Sequence, residues 1–479
     1  MDYLKLFQTH SDYEDFVSGG TMLKPNVSHC VQENDVHYNP HTFADEYFTT
    51  IARENGTISF NIWKSMGTEY ITSMSYSTDN GNTWNTTNNI NNKSEHLVID
   101  VNVSEGDKVL WKGDATQTGY YDEDDYGDAV GSFFSSTCEF DAQGNVMSLL
   151  YLDDFNKQLT LEENYAFLRL FNDYDGEKSC GIVNARNLSL PATRLTNNCY
   201  NSMFRGCTSL TTAPALPVTA MTEYCYTSMF EGCTSLIEAP ELPATTLVEC
   251  CYQNMFAGCT NLTSAPELPA TTLASSCYDG MFQDCTNLVN APSVLPATTL
   301  TDYCYSSMFA GCTSLTVAPE LPATTLVDGC YINMFYGCTS LTTAPALPAT
   351  TLANRCYSYM FEGCTSLTTA PELPATTMVN RCYWNMFAGC TSLTTAPELP
   401  ATALTNSCYT DMFNGCSNLN YIKAMFTTTP SGGSPYYYTQ NWVSGVASTG
   451  TFVKNSAATW DVTGVDGIPT GWTVQTASA

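Results

Sequence analysis

Positive charge is scarce in this chain: 17 Lys and Arg stand against 47 Asp and Glu in 479 residues, for a formal charge of −30. Gripping a phosphate backbone takes clustered Lys and Arg, so the composition argues against nucleic acid and against anionic membrane surfaces. Long apolar runs are missing too. No stretch approaches the ~20 residues of a membrane span, so insertion is not expected. The opening residues, Met1 to His10, carry neither the basic flank nor the apolar run of a secretory leader.

Against these absences stands a repeat. The phrase Cys-Tyr-x-x-Met-Phe-x-x-Cys occurs nine times, with first cysteines at Cys199, Cys225, Cys251, Cys277, Cys304, Cys330, Cys356, Cys382 and Cys408. The period is 26 residues, stretched once to 27. Such a period means one supersecondary unit per copy, which cannot bury its apolar face alone and stacks on its neighbours. In Cys225-Tyr226-x-x-Met229-Phe230 the apolar residues fall at i, i+1, i+4 and i+5, which predicts one face of a short helix or 3-10 segment ended by Gly232. Pro240 and Pro243 then forbid helix and predict a brief strand around Leu236 to Leu242.

These units resemble the BspA-like leucine-rich repeats through Phe230, Gly232, Cys233, Leu236 and Pro243, which recur in register with Asp284 replacing one glycine. The resemblance implies a leucine-rich repeat α/β solenoid of about ten coils over residues 160–425, and surface-exposed modules of adhesion and host contact. A degenerate first coil is expected at Ala166-Phe167-x-x-Leu170-Phe171, its helix opened by a capping box at Thr160-x-x-Glu163. The Leu-Pro-Ala-Thr-Thr phrasing and the segment from Asn441 to Val474 are similar to tail or fibre appendage proteins of phages infecting gut Bacteroidetes.

Ahead of the repeats, residues 1–49 read as an α+β attachment module, with strands at Tyr3 to Phe7 and Val27 to Val31 and a helix opened by Ser11-x-x-Glu14. Residues 50–115 read as a small all-β module, with strands at Thr57 to Trp63, Glu69 to Tyr76, Leu97 to Val103 and Lys108 to Lys112. Residues 116–159 follow as an acidic linker and capping hairpin, and 426–479 as a C-terminal cap over the last open edge.

Eighteen of the 22 cysteines lie in two ladders of nine. Nine members cannot all pair within a ladder, and cysteine on an apolar stripe behaves as a small hydrophobe, so buried free thiols are expected. Zinc needs close ligand pairs, whereas the spacing within a repeat is eight. His29, Cys30, His37 and His41 read as ordinary surface residues rather than a metal site. No cofactor is expected. Asp122, Asp124, Asp125 and Asp128 resemble part of a calcium loop, but Phe133 stands where the bidentate glutamate belongs. A solvated acidic linker is the plain reading and weak Ca²⁺ binding the alternative. Ser77-x-Asp79-x-Gly81-x-Thr83-Trp84 matches the Asp-box of sialidases, a brace without catalytic role, and reads as a turn with Asp79 bonding local backbone.

No acid pair can be placed for glycosidase chemistry, so a non-enzymatic binding protein is expected. Candidate ligand-contact residues are the diversified aromatics Tyr224, Tyr303, Tyr336, Tyr359 and Trp384. Thr343, Thr369 and Thr395 join them as a periodic hydroxyl column, with Glu241, Glu267, Glu320, Glu372 and Glu398 as a second column of unsettled facing. Solvated sheet residues and drift at tolerant positions are the plain alternatives. The expected partner is a host cell-surface glycan or protein, with other virion proteins bound through the N-terminal modules and homo-oligomers allowed. If the sequence begins at its true start, the absent leader and the phage resemblance lead to the expectation of a virion-surface protein made in the host cytoplasm. A decorating virion component without receptor role and an exported bacterial adhesin at the cell surface remain the alternatives.

Overall fold

The structure is a computed structural model that describes residues 43–62, 71–88, 90, 97–121, 129–172, 180–434 and 437–477. The elements expected within residues 1–42, the His29, Cys30, His37 and His41 neighbourhood, and Asp122, Asp124, Asp125 and Asp128 lie outside them.

The N-terminal part is a pair of facing sheets. Strands β1 (Phe48–Ala52), β2 (Gly56–Ile62), β3 (Ile71–Ser77), β4 (Asn85–Asn88), β5 (Leu97–Val103) and β6 (Lys108–Ala115) are followed by β7 (Gly119–Tyr121), β8 (Ala129–Gly131), β9 (Phe133–Ser136) and β10 (Phe140–Asn145). A sixth partner, β11 (Ile182–Ser189), completes a sheet of order β11-β10-β1-β6-β3-β4, and β5-β2-β9 forms the other. Between them Phe48 meets Phe134 at 5.1 Å and Trp111 is wedged edge-on to Phe134, whose own cross-strand partner Phe60 lies 4.7 Å away within the second sheet. Strand pairing thus continues past residue 115, because β9 and β10 bond to β2 and β1.

From β11 onward the chain stacks in parallel. Asn184 bridges Thr212 and Thr212 bridges Glu238, and at the equivalent positions of later coils bridges link Ser264, Asn290, Val317, Thr343 and Thr369 in turn. Thr395 hands it to Tyr421 in β12 (Tyr421–Ala424), which pairs with β13 (Thr451–Lys454) and then β14 (Thr473–Thr476). A second run of bridges, Thr246 to Thr272 and Thr325 to Thr351, lies in the Ala-Thr-Thr segments.

The expected helix of each repeat is absent, and the α/β reading is corrected here. From Tyr224 to Cys233 alternate N–H groups go two ways: those of residues 225, 227, 229, 231 and 233 close turns onto the carbonyl three residues back. Those of 224, 226, 228, 230 and 232 donate to the next coil, at Glu249, Cys251, Gln253, Met255 and Ala257. A helix would spend every N–H within its own segment. The chain takes the left-handed conformation at every fourth residue, Tyr224, Ser228 and Gly232, with φ of +57°, +53° and +73°. Tyr224 and Ser228 are each followed by two buried residues, Cys225-Tyr226 and Met229-Phe230. The apolar pairs therefore have a period of four, which imitates a helical face in sequence. The same turns replace the helix expected after Thr160, whose residue bridges Arg194 instead.

Nine side chains of each coil fill the interior: in one, Cys225, Tyr226, Met229, Phe230, Cys233, Leu236, Leu242, Ala244 and Leu247. Equal residues from successive coils touch. The Tyr rings stack at 5.7 to 6.0 Å from Tyr200 to Tyr409, and the Phe rings at 5.4 to 5.8 Å from Phe204 to Phe413. Phe167 and Phe171 begin both columns against Tyr200 and Phe204, so the degenerate first coil is where the sequence put it.

Both ends of the turn ribbon are met by partners. At the N-terminal end the N–H groups of Thr118 and Phe134 donate to the carbonyls of Ala166 and Leu170, at 2.8 Å each. At the other end Trp442 packs over Tyr409 and Phe413, and the Asn441 N–H donates to the Asp466 carboxylate at 2.7 Å.

Candidate functional site

The cysteine ladders belong to the interior. All eighteen are buried free thiols. In the second ladder each sulfur donates to a phenylalanine carbonyl of the preceding coil: Cys233 to Phe204 at 3.0 Å, Cys259 to Phe230 at 3.1 Å, and so on to Cys416 and Phe387 at 3.0 Å. Sequence reading took these residues as packing alone, since no spacing signals a thiol donor. Burial raises their pKa values, to about 11 for Cys225, Cys304 and Cys408 and about 12 for Cys285 and Cys364, so they stay protonated at neutral pH. Among the described residues no group of three His, Cys, Asp or Glu is placed to hold a metal ion.

The Asp-box sequence forms a local brace. Asp79 accepts from the Thr83 backbone and hydroxyl at 2.9 and 2.7 Å and from Ser77 Oγ at 2.7 Å, and the Thr83 bonds foremost hold its pKa down to about 2. Trp84 packs against Tyr47 and beneath the Lys112 ammonium, 4.1 Å from the ring centre.

The outer face is where the coils differ. Thr343, Thr369 and Thr395 are exposed on the strand ladder, beside the exposed Ile237, Val289 and Val317. Glu241, Glu267, Glu320, Glu372 and Glu398 all face solvent, which settles their facing. The aromatic candidates lie along the turn ribbon. Tyr224 is half-buried, its hydroxyl 3.2 Å from Glu249, and burial, with Cys250 and Glu249 adding, raises its pKa to about 12. Tyr303 is 37 % exposed and lies over Gly329, where a side chain would meet its ring. Tyr336 is 46 % exposed.

Only Tyr359 and Trp384 of these five are brought into ring contact, at 4.9 Å and 53°. Around them sequence reading missed a set of partners. The Arg381 guanidinium lies 5.0 Å from the centre of the Trp384 ring, and Arg355 occupies the same position one coil earlier. Glu362 accepts from Asn385 Nδ2 at 3.1 Å, and Asn385 Oδ1 is buried without a hydrogen-bond partner. Burial raises the pKa of both Glu362 and Asp411, against the hydrogen bonds that Asn385 gives the first and Asn414 the second. The left-handed backbone at Arg355, Tyr359 and Arg381, with φ of +55° to +59°, is costly for large side chains and fixes where they leave the ribbon. The sequence feature that was not used is the scarcity of bases: Arg205, Arg355 and Arg381 are the three basic residues between Cys199 and Cys416.

The geometry agrees with a family comparison. The BspA type leucine rich repeat region matches in six copies, over residues 180–316 and 305–443. No curated protein and no solved structure matches the chain. Because those matches take in more than half of the 479 residues, and within them one coil recurs with its Phe, Gly, Cys and Leu in register, the chain belongs to the BspA type leucine-rich repeat family.

Proposed function

We propose that this is a non-enzymatic binding protein that displays a leucine-rich repeat solenoid to a cell surface. The observation that carries the reading is the contrast between coil interior and coil exterior. Interiors are near copies, from Cys225 to Leu247 and onward, whereas aromatic and charged residues change from coil to coil along the turn ribbon. Exposed Tyr and Trp at diversified positions are the residue types that dominate contact energies. Stacking repeats so builds an extended surface whose contact residues vary without disturbing the core.

Within that reading the protein is a tail or fibre-associated appendage of a phage virion. Its partner is a bacterial surface glycan or protein, and the N-terminal modules mount it on other virion proteins. The phrasing of the Leu-Pro-Ala-Thr-Thr segments supports this placement. The family match favours a second reading, an exported bacterial adhesin. Full-length labelled protein is expected to bind susceptible cells saturably and to compete with phage adsorption. Absence of binding at micromolar concentration would sink the contact role, and binding without competition would favour the adhesin.

A further inference from the structure

The repeat lets each coil serve as the control for its neighbours, and departures from the column norm concentrate in one place. The column third after the first cysteine reads Ser202, Ser228, Asn254, Gly280, Ser307, Asn333, Tyr359, Asn385, Asp411: small or polar residues that tolerate a left-handed backbone, with one tyrosine. The column just before that cysteine holds arginine at Arg355 and Arg381, in consecutive coils. Trp384, the single tryptophan of the array between Cys199 and Cys416, sits beside them.

Charge makes the cluster unusual. Between Cys199 and Cys416 there are 15 acidic residues against three arginines. Arg205 is neutralised by Glu231 of the next coil at 2.7 Å. Among the described residues neither Arg355 nor Arg381 makes an ion pair, although acids abound in the stack. Arg355 is exposed and Arg381 half-buried over the Trp384 ring.

We propose that Arg355, Arg381, Tyr359 and Trp384 form a binding site for an acidic saccharide, a sugar unit carrying a carboxylate. The guanidinium fork matches a carboxylate in two parallel hydrogen bonds, which an ammonium cannot supply. The paired rings offer aromatic surface to the C–H face of a pyranose, and aromatic walls with a few placed polar groups are the usual make-up of a small-ligand site. Glu362 and Asp411 supply acceptors for sugar hydroxyls. The same two carboxylates, and the acid excess around them, repel a polyphosphate chain and favour a ligand with one negative group among hydroxyls. This inference rests on the stack being a contact surface, and it names the chemistry of the partner.

The full chain is titrated with a β-linked oligoglucuronate and with sialyl-lactose, alongside neutral glucan and lactose of matching length, by calorimetry and tryptophan fluorescence. At least one acidic probe is expected to bind about tenfold or more tighter than its neutral counterpart, with the margin narrowing at high salt. R355Q/R381Q removes the preference, W384A weakens acidic and neutral probes alike, and R205Q changes neither. Equal affinity for acidic and neutral probes, an unaltered preference in R355Q/R381Q, or no response to either acid at millimolar concentration overturns the proposal. Cell binding is scored separately. A chain that binds the acidic probe but not cells removes the contact role and leaves this site standing, whereas cell binding with no response to either acid does the reverse.

Discussion

The N-terminal sheets and the repeat stack solve the same burial problem by opposite means. In the sheets every contact is particular: Phe134 meets Phe48, Phe60, Trp111 and Phe171 at four different angles, and β10 is bonded on both sides, to β1 and β11. In the stack one contact is copied, ring on ring at nearly constant spacing, and each coil touches its two neighbours. Uniqueness makes each strand indispensable; repetition makes each coil expendable while forcing every copy to tolerate the same environment.

The largest test of that difference is deletion. Excising residues 330–355 joins Gly329 to Cys356 in register, and the shortened protein is expected to fold with a melting temperature within about 5 °C of the parent. Removing Phe140–Asn145 should abolish cooperative unfolding by circular dichroism, because β1 and β11 lose their shared partner. If both deletions were equally harmful, the stack would not be modular.

Alkali should then separate the regions. Burial raises the buried thiols, to about 11 for Cys225 and about 12 for Cys277 and Cys416 against about 9 unfolded, so in that window the unfolded chain binds fewer protons than the folded one. Their stabilising contribution is whole below pH 9 and is lost as pH climbs toward 12. Denaturation midpoints should stay flat from pH 7 to about 8.5 and fall steeply above 9 for the stack. A flat profile to pH 11 would contradict the buried free thiols.

Smaller effects sharpen the comparison locally. Phe309→Ala removes one ring from the middle of its column and is expected to cost about 3–5 kcal/mol. Urea unfolding should show it, with the lost cooperativity confined to the flanking coils. Cys338→Ala leaves the Phe309 carbonyl without its thiol donor, now 3.1 Å away, and should cost about 1–2 kcal/mol. Indifference to this change would reduce that bond to incidental packing.

How legible this was in the sequence follows the same divide. Coil boundaries, the buried columns and the first degenerate coil were readable because nine copies average out local ambiguity. Strands β2, β3, β5 and β6 were readable from alternation. The helix was misread for a physical reason: apolar pairs four apart satisfy a helical face and a ribbon of turns alike, and sequence alone does not show where alternate N–H groups go. The left-handed column offered a usable clue in Ser202, Ser228, Asn254 and Gly280, residues that favour turns over helix. Tyr359 and Trp384 were selected as diversified aromatics. Their grouping with Arg355, Arg381 and Glu362 was hidden, since it depends on a 26-residue offset between side chains rather than on adjacency.

The one-way bonding of the turn ribbon makes the stack an electrical object. From Tyr224, Tyr226, Ser228, Phe230 and Gly232 every donor points toward the C-terminal end, and coil after coil repeats the direction. Peptide dipoles so aligned add along the stack axis as they do along an α-helix, leaving partial positive charge at the last coil and negative charge at the first. The termini answer in kind: the Thr118 and Phe134 N–H groups meet the negative end, and the Asp466 side-chain oxygen meets the positive one. Lengthening the array by whole coils would therefore leave both terminal fittings unchanged, provided each added coil keeps the same polarity.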